Sequence, residues 1–255
     1  MTDRIDEKYE AVYRRMRMEA DGAGLAGTGG DAYDPVGGHT REEADAAYEE
    51  LFRELHGESD GGTQAKAKQQ VYVVGAENSD TDSVCSAICY ARLKNLTDAS
   101  AVYTAYAAGY INAETAFVLA RFGVSIPELP EGERLERVIL MGHSEWGQAA
   151  AGVEKTNIAE IISHHKIGDI ETSKPIYFRN EPVGATSTIV YQMYGERGET
   201  IDTICAGLLC SGIISDTRLF RSPQTTRTDK LAAVALANIA GLDIEAYARE
   251  MWTKG

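Results

Sequence analysis

Residues 71–88, VYVVGAENSDTDSVCSAI, run from an apolar strand through a short polar turn into a helix. Val71, Val73 and Val74 with Tyr72 have the β-branched and aromatic density of a buried strand. Asp80 and Asp82 follow two residues apart, where the helical pattern begins. In open α/β sheets ligands bind beyond the carboxyl ends of the strands, so carboxylates at this point are placed to meet a metal ion. The simpler reading is a helix N-cap with acidic complementation of the helix dipole.

The alternation continues outward from this stretch. AVYTAYAA (101–108), RVILMGH (137–143) and EIISHH (160–165) are expected strands. Helical patterns are expected over 83–96, 113–122 and 145–153, and again over 187–194, 200–213, 229–240 and 244–252. Strand and helix in alternation imply βαβ units. The expected fold is α/β over residues 69–255: a doubly wound, mainly parallel sheet flanked by helices.

Residues 1–68 differ. Residues 6–20 suit an amphipathic helix, with Tyr9, Val12, Tyr13 and Met16 on one face. The glycine-rich DGAGLAGTGGDAYDPVGG is flexible by composition and lacks the strand and Gly-Lys-Ser/Thr of a phosphate loop. Thr40 and Glu43 form a capping box for a second helix over 40–55. This helical, glycine-rich extension is expected to dock on the main domain or to receive a separate protein partner.

Composition narrows the function. With 39 Asp and Glu against 25 Lys and Arg, the net charge is −14, which argues against nucleic-acid binding. No apolar run reaches the roughly 18 residues of a membrane span. The start, MTDRIDEKYE, lacks the apolar segment of a signal peptide, so a cytoplasmic location is expected. Cys85, Cys89, Cys205 and Cys210 sit in apolar helical patterns as small core residues.

Four polar clusters close the apolar elements: Asn78-Ser-Asp80-Thr-Asp82, Gly142-His143-Ser144-Glu145, Ser163-His164-His165-Lys166 and Ser215-Asp216-Thr217. Carboxylate with imidazole suits Mn²⁺ and its first-row neighbours. Alone, each cluster has a structural explanation. Their joint occurrence at element ends favours a metal site.

In order and content the clusters resemble the catalytic domain of the family II (manganese-dependent) inorganic pyrophosphatases, within the DHH phosphoesterase superfamily. GAENSDTDS, GHSE, SHHKIG, PVGATST and SDTRLFRSPQTT stand where that family has its motifs. The resemblance runs from about Val71 to the C-terminus. It implies metal-dependent hydrolysis of pyrophosphate to phosphate, with Asp80, Asp82 and His164 carrying the chemistry. The implied metal ligands are Asp80, Asp82, His164 and Asp216; His165, Lys166 and Arg221 are expected to contact the substrate. It also implies a homodimer.

The sequence departs from that pattern at three positions. Ala76 stands where the family has a histidine ligand, Gly142 where it has a bridging aspartate, and Ser163 at the first position of D-H-H. One ion (Mn²⁺, or Mg²⁺ or Co²⁺) is therefore expected rather than two, with Glu77 or Glu145 as the nearest substitutes. The Ser163 change is expected to loosen His164. The family's substrate-clamp domain would begin near the end of this sequence and is expected to be absent. Impaired hydrolysis is thus one expectation, and a catalytically inactive relative with a binding, regulatory or assembly role is the alternative.

Overall fold

The structure is a computed structural model that describes residues 68–77, 80–129, 135–153 and 157–254. All lie in the second of the two units into which the chain divides, Ala67–Gly255. The helices expected over 6–20 and 40–55 lie outside the described residues.

Five strands form one parallel sheet: β1 (Gln69–Val74), β2 (Ala101–Tyr106), β3 (Arg137–Met141), β4 (Asn157–Ser163) and β5 (Tyr177–Asn180). Their order is β2-β1-β3-β4-β5, so the chain winds outward from β1 in both directions. Register aligns the carboxyl ends: Val74 pairs with Tyr106 and Leu140, Leu140 with Ile161, and Ser163 with Asn180. The segments that follow β1, β3, β4 and β5 therefore open on one edge of the sheet.

The helices are α1 (Thr81–Thr97), α2 (Ala113–Phe122), α3 (Thr186–Glu196), α4 (Thr203–Thr217), α5 (Arg227–Ala240) and α6 (Ile244–Lys254). Strand alternation sends Val71, Val73, Ile139, Met141 and Ile162 into a large core shared with these helices. Val74, Val138, Leu140, Ile158 and Ile161 enter a smaller core on the opposite face. Helix α4 is buried continuously over CAGLLCSGII, residues 205–214, as a helix enclosed on all sides must be. The four cysteines are free and buried. Among the described residues no single helix is long and apolar enough to cross a membrane.

The expected strands and the helix over 113–122 are observed, with three differences. Residues 145–153 form no α-helix; only a 3₁₀ turn, Trp146–Gln148, appears. There the Trp146 amide donates to Asp169 at 2.8 Å, and Gly152 takes φ +91. The helix expected over 200–213 begins at Thr203, because the Asp202 side chain caps it, and runs on to Thr217. Strand β5 was not foreseen. It is a four-residue edge strand with Tyr177 and Phe178 exposed, too short and too exposed for a periodic signal.

One buried carboxylate fixes the helices that border the open edge. Asp229, fully buried, accepts from the Gly184 amide (2.9 Å), the Thr188 hydroxyl (2.6 Å) and both the amide and the hydroxyl of Thr226 (2.7 Å each). It joins the loop before α3, α3 itself and the capping box of α5. Asp229→Ala leaves these donors unpaired, and urea unfolding is expected to show a loss of about 3 kcal/mol.

Candidate metal centre

The open edge gathers three of the residues expected from sequence. One ligand atom each from Asp82, His164 and Asp216 lies within 4.8 Å of the others. Asp82 comes from the first turn of α1, His164 from the residue after β4, and Asp216 from the last turn of α4.

Asp82 is buried, and both its oxygens are held by backbone. The Thr186 amide donates to Oδ2 at 2.7 Å and the Ser187 amide to Oδ1 at 2.9 Å. These are free amides of the first turn of α3, which favour negative charge through the local helix dipole. Gly212 makes this approach possible. A Cβ there would lie 2.8 Å from Asp82 Oδ1 and 2.3 Å from Ser187 Oγ, so α4 seats against the carboxylate only with glycine at that position.

His164 Nδ1 lies 3.0 Å from Thr186 Oγ1 and 3.7 Å from Asp82 Oδ2, while Nε2 lies 3.4 Å from Asp216 Oδ2. Burial holds its pKa below the ordinary value against the opposing charge of Asp82. A neutral imidazole that donates from Nδ1 to Thr186 keeps the Nε2 lone pair on the Asp216 side. Ser163 does not touch the ring: its hydroxyl accepts from the His165 amide at 3.0 Å. Thr186, rather than residue 163, therefore orients His164.

Asp216 has its pKa pushed up to about 10, by burial first and then by the charges of Asp82 and Asp80. Two carboxylates in one desolvated site cannot both ionise cheaply without a cation. Asp216 is followed by Arg218, Leu219 and Phe220 at φ +50, +51 and +66, three consecutive left-handed residues. Each costs roughly 1–2 kcal/mol relative to the right-handed conformation. The Leu219 amide bonds Ile214 O at 3.0 Å, the Phe220 amide bonds Thr217 Oγ1 at 3.2 Å and the Ser222 amide bonds Thr217 O at 2.9 Å, which holds the turn.

The other expected residues lie outside the triad. Asp80 is exposed and caps α1, accepting from the Ser83 amide at 2.8 Å. The His165 ring lies on that of His164, with centroids 4.0 Å apart, and its Nδ1 hydrogen-bonds Gly142 O. Lys166 is exposed and paired with Glu145 at 2.8 Å, which also commits Glu145. Arg221 is exposed on the turn after α4. His143 is buried beside the site, and its pKa is lowered chiefly by that burial. Gly142 takes φ +79, and a Cβ there would lie 2.8 Å from Ser83 Oγ and 3.8 Å from Thr186 Oγ1.

The triad fits a divalent cation on the chemistry of its donors. Two carboxylates and one imidazole suit Mn²⁺ or its neighbours. Burial and then the neighbouring carboxylates raise the pKa of Asp216, a cost that a cation held there would offset. Sequence reasoning missed Thr186, Ser187 and Gly212. The Thr-Ser-Thr that opens a helix after Pro-Val-Gly was a readable sign of an anion-holding helix N-terminus.

An α/β domain whose parallel sheet gathers this donor set at its carboxyl edge has the architecture of a metal-site fold. The sequence pattern of the DHH family, N-terminal domain, matches residues 70–213, and the chain belongs to that family. It is 49% identical over 181 residues to the manganese-dependent inorganic pyrophosphatase of Methanothrix thermoacetophila, covering 71% of this chain and 58% of that protein. It is 47% identical over 186 residues to a Clostridium acetobutylicum protein named "Probable manganese-dependent inorganic pyrophosphatase", covering 72% and 59%. The chain thus spans less than two thirds of the length of these relatives. Among solved structures, a Methanococcus jannaschii protein assigned to the family II inorganic pyrophosphatases aligns with TM-score 0.66 at 40% identity, over 72% of this chain and 61% of that one. An exopolyphosphatase-related protein from Bacteroides fragilis shares the fold, with TM-score 0.60 at 13% identity.

The pH dependence of the metal-free chain follows from Asp216. Its folded pKa is raised from 3.8 to about 10, so its contribution to stability is full below about pH 4 and is lost as pH rises toward 10. Asp216→Asn removes that dependence. Urea unfolding in a chelating buffer is expected to show wild type losing stability relative to Asp216→Asn between pH 5 and 9; a constant difference would contradict the assignment.

Proposed function

We propose that the chain hydrolyses inorganic pyrophosphate with Mn²⁺, one ion being held by Asp82, His164 and Asp216. The observation that carries this reading is the convergence of those three side chains at the carboxyl edge of a DHH-family domain. The names of the similar proteins support the substrate and the metal. A bound Mn²⁺ would supply counter-charge for phosphoanhydride oxygens and would acidify water at the site.

The chain's own residues do the rest by position. The α3 amides hold Asp82 without neutralising it, and Thr186 holds Nδ1 of His164 so that Nε2 faces Asp216 and would be free to take an ion. Asp80, exposed with one oxygen committed to Ser83, would meet a water or a cation carried by the substrate. His165 donates from Nδ1 to Gly142 O, so its Nε2 would donate to a phosphate oxygen only with both ring nitrogens protonated. Lys166 would have to leave Glu145 to do the same. Lys166 is exposed in that pair, so the exchange costs little. Arg221 is the remaining candidate contact for an anion.

A second reading, loss of catalysis with retention of the fold, is favoured by Ala76 and Gly142, which offer no side-chain ligand. An aspartate at 142 would have to adopt φ near +79 and displace the Ser83 hydroxyl, both tolerable for a short polar side chain. Phosphate release from pyrophosphate with Mn²⁺ decides between the readings. The first expects turnover in wild type and less than about 1% of it in His164→Ala, the scale of losing a ligand from a metal catalyst. Turnover confined to the double variant Ala76→His, Gly142→Asp would instead establish a disarmed site.

A further inference from the structure

Helix α2 contributes no member of the triad, yet its first turn reaches both carboxylate-bearing segments. Glu114 Oε1 accepts from the Thr81 hydroxyl at 2.7 Å and from the Ser215 hydroxyl at 2.5 Å. Thr81 lies between Asp80 and Asp82, and Ser215 immediately precedes Asp216. The single oxygen therefore spans the start of α1 and the end of α4, through partners 33 and 101 residues away in sequence. Thr81, fully buried, is also 3.0 Å from the hydroxyl of Thr115, the next residue of α2. Asn112 caps the same turn, accepting from the Thr115 amide at 2.8 Å. The tie is thus anchored at its α2 end.

A further carboxylate beside Asp80, Asp82 and Asp216 is unfavourable in charge and adds to the forces that raise the pKa of Asp216. Its geometric contribution runs the other way. Asp82 and Asp216 repel one another, and the segments that carry them would part if nothing joined them. Two hydroxyl donors on one oxygen hold those segments at a fixed spacing, as outer carboxylates do for the ligands of metal sites.

We propose that Glu114 is a positioning residue that sets the spacing between Asp82 and Asp216, acting through Thr81 and Ser215. The proposal rests on the assignment of Asp82, His164 and Asp216 as metal ligands, and it concerns affinity for the ion rather than contact with substrate. Accepting two hydroxyl donors needs an oxygen, not a charge. Gln at 114 therefore keeps the function and Ala removes it.

The test is Mn²⁺ binding to the full chain, followed by the EPR signal of free Mn²⁺, with the melting temperature of the metal-free protein recorded for each variant. Glu114→Ala is expected to weaken binding about 10- to 100-fold, the usual range for an outer partner of a ligand. Glu114→Gln is expected to stay within about threefold of wild type, a difference that a general loss of folding would not produce. Ser215→Ala, at a half-buried site, is expected to weaken binding by a smaller factor and carries the test if Glu114→Ala does not fold. Wild-type affinity in Glu114→Ala or, should that variant not fold, in Ser215→Ala overturns the proposal, as does a Gln variant as weak as the Ala one. His164→Ala separates the two levels. If it binds Mn²⁺ as well as wild type, the metal assignment falls and this proposal with it. If it alone loses binding, only the role of Glu114 falls.

Discussion

The carboxylate of Asp82 on the amides of Thr186 and Ser187 is the contact on which the open edge depends. It is buried, it joins residues more than a hundred positions apart, and it is charged on one side only. A carboxylate removed from water needs donors, and the free amides at a helix start are the densest set the backbone offers. Once α1 and α3 are joined there, Thr186 is placed to turn His164. Gly212 then lets α4 close over the pair and bring Asp216 alongside. The triad is a consequence of helix packing as much as of the residues that compose it.

That packing explains why a costly backbone persists at the end of α4. Three left-handed residues in succession follow Asp216, and none is glycine. Such a turn survives only where surrounding bonds over-determine it. Here Thr217 does so from both ends, since its hydroxyl and its carbonyl each accept an amide of the turn while its hydroxyl donates to Ile213 O. Asp229 adds a second brace, because it fixes Gly184 close to Thr217 and to α5 beyond. The strained turn lies between two fixed points, which keeps the chain from unwinding the last turn of α4 and carrying Asp216 away.

Elements with strong periodicity were legible in the sequence. β1, β3, β4 and the helix Ala113–Phe122 follow from their apolar spacing, and the parallel pairing follows from their alternation. The members of the triad were legible as polar residues that end apolar elements. The residues that organise them were not. Thr186, Ser187, Gly212 and Glu114 have ordinary local roles as helix starters or helix interior, and their partners are fixed only by tertiary packing. Asp229 was nearer to legible: Thr-x-x-Asp at 226–229 is a capping-box pattern, though its bonds to Gly184 and Thr188 are long-range. Residues 145–153 read as a helical pattern, but they carry two glycines, and Gly152 at φ +91 lies outside the right-handed helical region, so the segment closes after the short turn Trp146–Gln148.

The donors that hold the acidic groups are neutral almost without exception. Asp82 is held by amides, Glu114 by hydroxyls, Asp80 by an amide, and the imidazole beside Asp82 and Asp216 is pushed toward its neutral form by burial. Among the described residues no Lys or Arg pairs with any of these carboxylates, although Lys166, Arg179 and Lys94 pair with others. Neutral donors fix direction without cancelling charge, whereas a lysine would do both and occupy the place of a cation. The edge therefore carries oriented negative charge, and in the metal-free chain the raised pKa of Asp216 favours a proton on that carboxyl. A divalent ion that displaced that proton would find its ligands already aimed, so little of its binding free energy would be spent on ordering them.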